Sequence, residues 1–415
     1  MTEGRERAKY GADAAKEFAG ELPNPFPRTM GPNCAKYVNE VIEAGLLTDM
    51  IGRFETAFTT ELGVKHCIAT PGCTPALAVL ASAFGFEPGD EIIVSPITDY
   101  GTLQGLISEH YIPVFADTAE STLNISAETV EPCITDRTRA VLCVHKTGLV
   151  CDMDPIVELA RNRGLVVYED SCQAVFSQYK GRVAGSLGDA AAFSFDSEKT
   201  MGSDVGGCIV TDSDELAERA RFIGHSRGAV MDPPFGRLHT DLGYAYRMPH
   251  LTAAICLGQL EIIRPQVERR DLMIRRITQL LSQIPGIIPL PIPDYVDVYS
   301  CWMAGFSIDP TMFSCTTDEF AAQCSQGGLS GVGTGRYYLM PAALTFLQEA
   351  AQSKIYPFST PPASRGYTYS GDSCPQAQTF LETFIRWTSF CDRYEPEHCQ
   401  QVADIISSVA DRNRL

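Results

Sequence analysis

Gly164-Leu165-Val166-Val167-Tyr168-Glu169-Asp170-Ser171-Cys172-Gln173-Ala174 decides the fold. It opens as a short apolar run behind a glycine, ends on two acids and follows the amphipathic stretch Met153 to Arg163. Such a run is too short for a helix. It reads as a buried strand that delivers Asp170 at its C-terminal end. Ala190-Ala191-Ala192-Phe193-Ser194-Phe195 repeats the pattern, with Lys199 a few polar residues beyond. Open α/β sheets bind ligands at the C-terminal edge of their strands. A carboxylate and an amine 29 residues apart in sequence are therefore expected to share one site.

Outward from this core, helical and strand-like runs alternate. Cys67-Ile68-Ala69-Thr70, Glu91-Ile92-Ile93-Val94, Ile112-Pro113-Val114-Phe115 and Ala140 to His145 read as strands, and Ala76 to Phe84, Thr102 to His110 and Met153 to Arg163 as helices. This recurrence predicts an α/β fold with a mostly parallel mixed sheet flanked by helices. A helical stretch from Pro249 to about Gln283, kinked at Pro265, would lead into a smaller α+β C-terminal domain. The expected division is an N-terminal arm over 1–34, a large domain over 35–265, and a linking helix with the small domain over 266–415. Residues 355–375, rich in Pro, Gly, Ser and Tyr, read as a surface loop or active-site flap.

A formal net charge of -18 disfavours nucleic acid and anionic membranes as partners. No run reaches the ~18 apolar residues that span a bilayer, and the first residues do not resemble a secretory signal. The 15 cysteines are dispersed and many sit in apolar runs, which suits reduced thiols in a cytoplasmic protein. No Cys-x-x-Cys or His-Glu-x-x-His occurs and the histidines are scattered, so no metal is expected.

Taken alone, Asp170 could be a helix cap, a salt-bridge partner or a metal ligand, and Lys199 a solvated loop residue. Together they match what pyridoxal 5'-phosphate requires: a lysine to carry it and a carboxylate to keep its ring nitrogen protonated. Gly72-Cys73-Thr74, between a strand and a helix, offers backbone N–H groups and a hydroxyl to a phosphate, and Ser194 a second hydroxyl. Either could equally be ordinary strand-end structure. Tyr100 could stack on an aromatic cofactor or be a rim residue, and Gln173 could bond a ring substituent. His145 could touch cofactor or substrate, or be a satisfied core histidine. His225, Arg227, Arg237 and Arg247 are candidates for a phosphate or a substrate carboxylate. Gly224-His225-Ser226-Arg227-Gly228 has the Gly-x-Ser-x-Gly spacing but follows a helical run, so it is not read as a nucleophile elbow.

These residues, in fixed order with Pro88-Gly89-Asp90, Val144-His145, Asp152-Met153-Asp154, Gly185 to Ala190 and Leu242 to Met248, resemble the DegT/DnrJ/EryC1/StrS family of sugar aminotransferases, of the aspartate-aminotransferase fold type. The resemblance covers residues 30–280 strongly and the remainder more loosely. It implies that Lys199 is the Schiff-base lysine and Asp170 the pyridinium partner. Tyr100 would lie on the ring, Gln173 near its phenolic oxygen, and Cys73, Thr74 and Ser194 around the phosphate. It further implies a homodimer with shared active sites, an amino donor such as glutamate or glutamine, and a keto-sugar, keto-cyclitol or related ketone as acceptor, in secondary-metabolite or sugar biosynthesis. The chain departs from the family at Gly72-Cys73, Thr98-Asp99, Asp204-Val205 and Ala245. Those departures motivate an alternative: elimination, racemisation or oxidase-like chemistry on the same cofactor. A cofactor-binding homologue without activity is a third reading, which the retention of both Asp170 and Lys199 opposes.

Overall fold

The computed structural model describes residues 21–363 and 365–415; residues 1–20 of the expected N-terminal arm lie outside the described residues. The strands of the first half are β1 His66–Thr70, β2 Glu91–Val94, β3 Ile112–Phe115, β4 Thr138–Val144, β5 Val166–Asp170, β6 Gln178–Tyr179, β7 Arg182–Val183, β8 Ala190–Ser194 and β9 Gly207–Thr211. Seven of them form one sheet in the order β1-β9-β8-β5-β4-β2-β3. The ladders from β8 through β3 are parallel, and β9 runs antiparallel to both β8 and β1. The β4, β5 and β8 strands are mostly apolar and buried on both faces because helices cover both sides. Ile68, Val94, Leu142 and Tyr168 pack with Leu77 and Leu80 of the helix Cys73–Phe84. On the other face Phe193 and Phe195 meet Phe54 and Phe58 of the helix Met50–Leu62 edge-on.

Parallel strands bring their C-terminal ends to one edge. The register sets Thr70 and Ser194 on either side of Gly207. A Cβ at Gly207 would lie 2.4 Å from the carbonyl carbon of Gly72 and 2.6 Å from the nitrogen of Cys73. Only glycine lets the turn between β1 and the following helix lie across β9.

The later strands are β10 Ala229–Asp232, β11 Gly236–His239, β12 Ile287–Pro289, β13 Val296–Val298, β14 Ala304–Ile308, β15 Val332–Thr334 and β16 Phe384–Trp387. A second, antiparallel sheet has the order β12-β14-β16-β15. Its core joins Phe306, Phe320 and Trp387 to the helices Ile263–Leu281 and Pro396–Asn413 through Met273, Ile277, Val402 and Ile406.

Two details differ from expectation. The long helical stretch is two helices, His250–Leu260 and Ile263–Leu281, and the break falls before Pro265. Pro265 then occupies the first turn, where its missing N–H is not needed. The segment from Ile355 to Cys374 is not an active-site flap. Arg365 and Tyr367 bond the buried carboxylate of Glu91, at the start of β2, and Tyr369 bonds the carbonyl of Pro113. Those contacts tie it to β2 and β3. No helix among the described residues is long and apolar enough to cross a membrane.

Candidate active site

A cleft of about 590 Å³ opens at the C-terminal edge of the large sheet. Cys73, Thr74, Asp170, Gln173, Ser194 and Lys199 line it together with Trp302, Tyr337 and Tyr338 from the smaller half. Residues read from four separate stretches of sequence thus meet in one place. A larger groove of about 750 Å³ near Ile288, Leu290 and Phe380 lies elsewhere and contains none of these residues.

Glu169 and Asp170 are consecutive on β5 and face opposite sides of the sheet, as the period of two requires. Glu169 is fully buried and accepts from the backbone N–H groups of Gly185, Leu187 and Gly188. Asp170 faces the cleft and is held by three donors. The Thr102 hydroxyl donates to Oδ2 at 2.7 Å, the Cys172 N–H to Oδ1 at 3.1 Å, and the Cys73 thiol to Oδ1 at 3.8 Å. These fix the carboxylate in one orientation, buried, at the floor of the cleft. Gln173 uses its carbonyl to accept from the N–H of Thr147 at 2.7 Å.

Lys199 sits in a clamped loop. The Arg28 guanidinium donates to the carbonyls of Ser197, Lys199 and Thr200, and the Trp302 indole N–H to the carbonyl of Glu198. The Lys199 ammonium lies 4.1 Å from the centre of the Trp302 ring. Burial works against its charge, but Cys172, Asp170, Cys73 and Asp196 outweigh it and raise its pKa above the ordinary lysine value.

Gly72 precedes the helix Cys73–Phe84 and no side chain caps it. Its first N–H groups, with the Thr74 hydroxyl, point the positive end of a twelve-residue helix at the cleft. The residues present therefore fit a phosphorylated, protonated heteroaromatic ring: an uncapped helix start and hydroxyls for the phosphate, an oriented carboxylate for the ring nitrogen, and an amine.

Not every expected residue reaches this cleft. Tyr100 opens the helix Tyr100–Ser108 at the rim, 43 % exposed, with its ring edge-on to Phe346 and outside the lining. The aromatic side chains that do line the cleft are Trp302, Tyr337 and Tyr338. His145 is the satisfied core histidine: Nε2 lies 2.8 Å from Glu169, and Nδ1 accepts from the N–H of Cys151. His225 bonds the carbonyl of Ala69. Arg227 and Arg247 are exposed, and Arg237 stands on the β10–β11 hairpin; none lines the cleft. The chain leaves the sheet at Thr211 and, after the helix Asp214–Gly224, runs on into the β10–β11 hairpin, which holds Arg237. Gly-x-Ser-x-Gly lies in that exit, after the helix Asp214–Gly224, so it builds no nucleophile elbow.

Sequence reading missed Thr102, Arg28, Trp302, Lys146 and Arg386. Only Thr102 left a local signal, near the start of a helix beside Asp99. Lys146 is buried with no hydrogen-bond partner for its amine, which lies 3.3 Å from the centre of the Tyr338 ring. A recess of about 400 Å³ shares Glu198, Trp302, Tyr337 and Tyr338 with the cleft and contains Arg386, whose Nε is buried without a partner.

The model of the DegT/DnrJ/EryC1/StrS aminotransferase family matches residues 29–402. The spore coat polysaccharide biosynthesis protein SpsC of Bacillus subtilis (strain 168) is 39% identical over 276 residues, 64% of this chain and 71% of that protein. A GDP-perosamine synthase of Caulobacter vibrioides is 36% identical over 280 residues, 67% of this chain and 74% of that one. In fold, the crystal structure of 3-amino-5-hydroxybenzoic acid synthase superposes with a TM-score of 0.81 at 22% identity, covering 95% of this chain and all of that one.

Proposed function

As the chain belongs to the DegT/DnrJ/EryC1/StrS aminotransferase family, fold type I enzymes that use pyridoxal 5'-phosphate, we propose that it moves an amino group from glutamate or glutamine to a keto-sugar or keto-cyclitol. The observation that carries the site assignment is the convergence of Asp170, Lys199 and the uncapped helix at Cys73 on one cleft. The kinship to proteins named for polysaccharide biosynthesis and GDP-perosamine synthesis supports a sugar acceptor. The β10–β11 hairpin exposes Met231 and Phe235, and its Arg237 does not line its own cleft, which supports a homodimer. Fifteen free thiols, most of them buried, suit a reducing cytoplasm.

The cofactor, when bound, supplies an electron sink for the bond broken at the reacting carbon. Around it, Asp170 holds a proton at the ring nitrogen, and its three donors keep the receiving oxygen in place. The first turn at Cys73 and Thr74, with Ser194, holds the phosphate. Lys199 would hold the cofactor, and its free amine would take the proton from the donor's α-carbon and give one to the acceptor carbon. The clamp by Arg28 and Trp302 keeps that amine within reach. Arg386 is placed to receive a carboxylate of the amino-acid donor in the adjoining recess.

Lys199→Ala tests the assignment. It is expected to remove the absorbance of the covalently held cofactor and lower turnover by at least ~10³-fold. A variant with an unchanged cofactor spectrum would end the case for Lys199. Arg386→Ala is expected to raise the donor KM about tenfold or more while leaving the acceptor KM near the parent value. An equal rise for both would refute the carboxylate role.

A further inference from the structure

Three metal-ligating groups meet at the floor of the cleft although the sequence carries no metal motif. Cys73 begins a helix, while Asp170 and Cys172 flank Ser171 at the end of β5. The Cys73 sulfur lies 3.8 Å from Oδ1 of Asp170, and one ligand atom from each of the three residues lies within 4.8 Å of the other two. All three line the cleft.

The separation of Cys73 from Asp170 is that of a coordination sphere. Zn–S bonds of about 2.3 Å and Zn–O bonds of about 2.0–2.2 Å at tetrahedral angles place neighbouring ligand atoms roughly 3.5–3.8 Å apart. The edge from Cys73 to Asp170 already has that length, so a cation needs little movement to seat there. Sulfur ligands favour a thiophilic ion over magnesium or calcium. Three protein ligands with a fourth position open to the cleft would leave room for water.

Binding a divalent cation would take the carboxylate and both thiolates, with two protons released to solvent.

We propose that Cys73, Asp170 and Cys172 form a binding site for a thiophilic divalent cation of the Zn²⁺ class, and that this cation and the cofactor exclude one another. The exclusion rests on reading Asp170 as the cofactor's partner; the metal site does not. A chain holding the metal would refuse the cofactor until the metal is removed, and a loaded chain would be protected from it.

Co²⁺ is the probe, added to the full-length chain with and without cofactor. The cofactor-free protein is expected to take up one equivalent and show thiolate-to-cobalt charge transfer with the visible bands of a tetrahedral ion. Cys73→Ser and Cys172→Ala should each weaken uptake more than ~10-fold and cut the charge-transfer intensity by about half. The C73A/C172A double variant, checked by circular dichroism for an intact fold, should show none. A parent chain without the charge-transfer band, or a double variant that retains it through the remaining cysteines, overturns the site. Equal uptake by the cofactor-loaded and cofactor-free chains overturns the exclusion. A chain that binds Co²⁺ through these two cysteines and never binds the cofactor would refute the reading of Asp170 while leaving the metal site standing.

Discussion

Lys146 carries a cost that neighbouring residues do not remove. Its amine is buried without a hydrogen-bond partner and has only the face of Tyr338 to rest on. Burial, and secondarily the charge of Lys199, lower its pKa from 10.5 to about 7. Between those two values the unfolded chain binds a proton that the folded chain does not, so stability rises with pH across that window and is level below it. Lys146→Met keeps the length of the side chain and removes the penalty. In cofactor-free protein it is expected to stabilise the fold on the order of 2 kcal/mol at pH 7, with the gain shrinking toward zero near pH 10.5. Urea denaturation of both proteins at several pH values measures this, and a gain independent of pH would refute it. Nothing in Val144-His145-Lys146-Thr147 announces the burial, because a lysine after a strand is ordinarily solvated. Arg28 was equally illegible: it clamps carbonyls about 170 residues away, and such a contact leaves no local pattern.

At the scale of elements the sequence was far more legible, for a physical reason. Strands buried on both faces are apolar along most of their length, so β4, β5 and β8 stand out, and parallel alignment then fixes which end gathers the ligands. That is why Asp170, Ser194 and Lys199 could be placed on one edge from spacing alone. Tyr100 could not, because a residue in the first turn of a helix can face the cleft or the rim with no change in pattern. His145 shows the same ambiguity, resolved by Glu169 on the neighbouring strand. The element on which the site depends most is the turn at Gly72, pressed onto β9. Gly207→Ala would force its new Cβ into the backbone of Gly72 and Cys73. The turn must shift, so the expected result is a loss on the order of 2 kcal/mol in stability and a drop of at least ~10-fold in cofactor affinity. Fluorescence titration of the cofactor against this variant checks it, and unchanged affinity would show that the turn takes no part in holding the phosphate.

For the whole molecule, the open question is what covers the β10–β11 hairpin. Met231 is 75% exposed and Phe235 74%, and Leu242 just beyond is 86% exposed. Apolar side chains held out on a hydrogen-bonded hairpin are costly in water and mark a surface that meets another protein. The arginines near them were expected at the chain's own cleft because they are close to it in sequence. Arg237 lies on the hairpin and Arg227 and Arg247 on the exposed chain either side of it, which no periodicity could reveal. The homodimer proposed above would answer both observations, covering the apolar residues and receiving the arginines. A hairpin alone falls short of the roughly 1,200–2,000 Å² of a stable interface, so Ile42, Leu46 and Leu47, also exposed, are candidates for the remainder. The double variant Met231→Asp, Phe235→Asp should therefore shift sedimentation from twice the 45.3 kDa chain mass to a single chain, with the far-ultraviolet dichroism preserved. If the clefts are shared, the same variant should also lose cofactor affinity at protein concentrations where the parent is saturated. Sedimentation of the parent chain as a 45.3 kDa species at micromolar concentration would rule the homodimer out, and the exposed hairpin would then need a different partner.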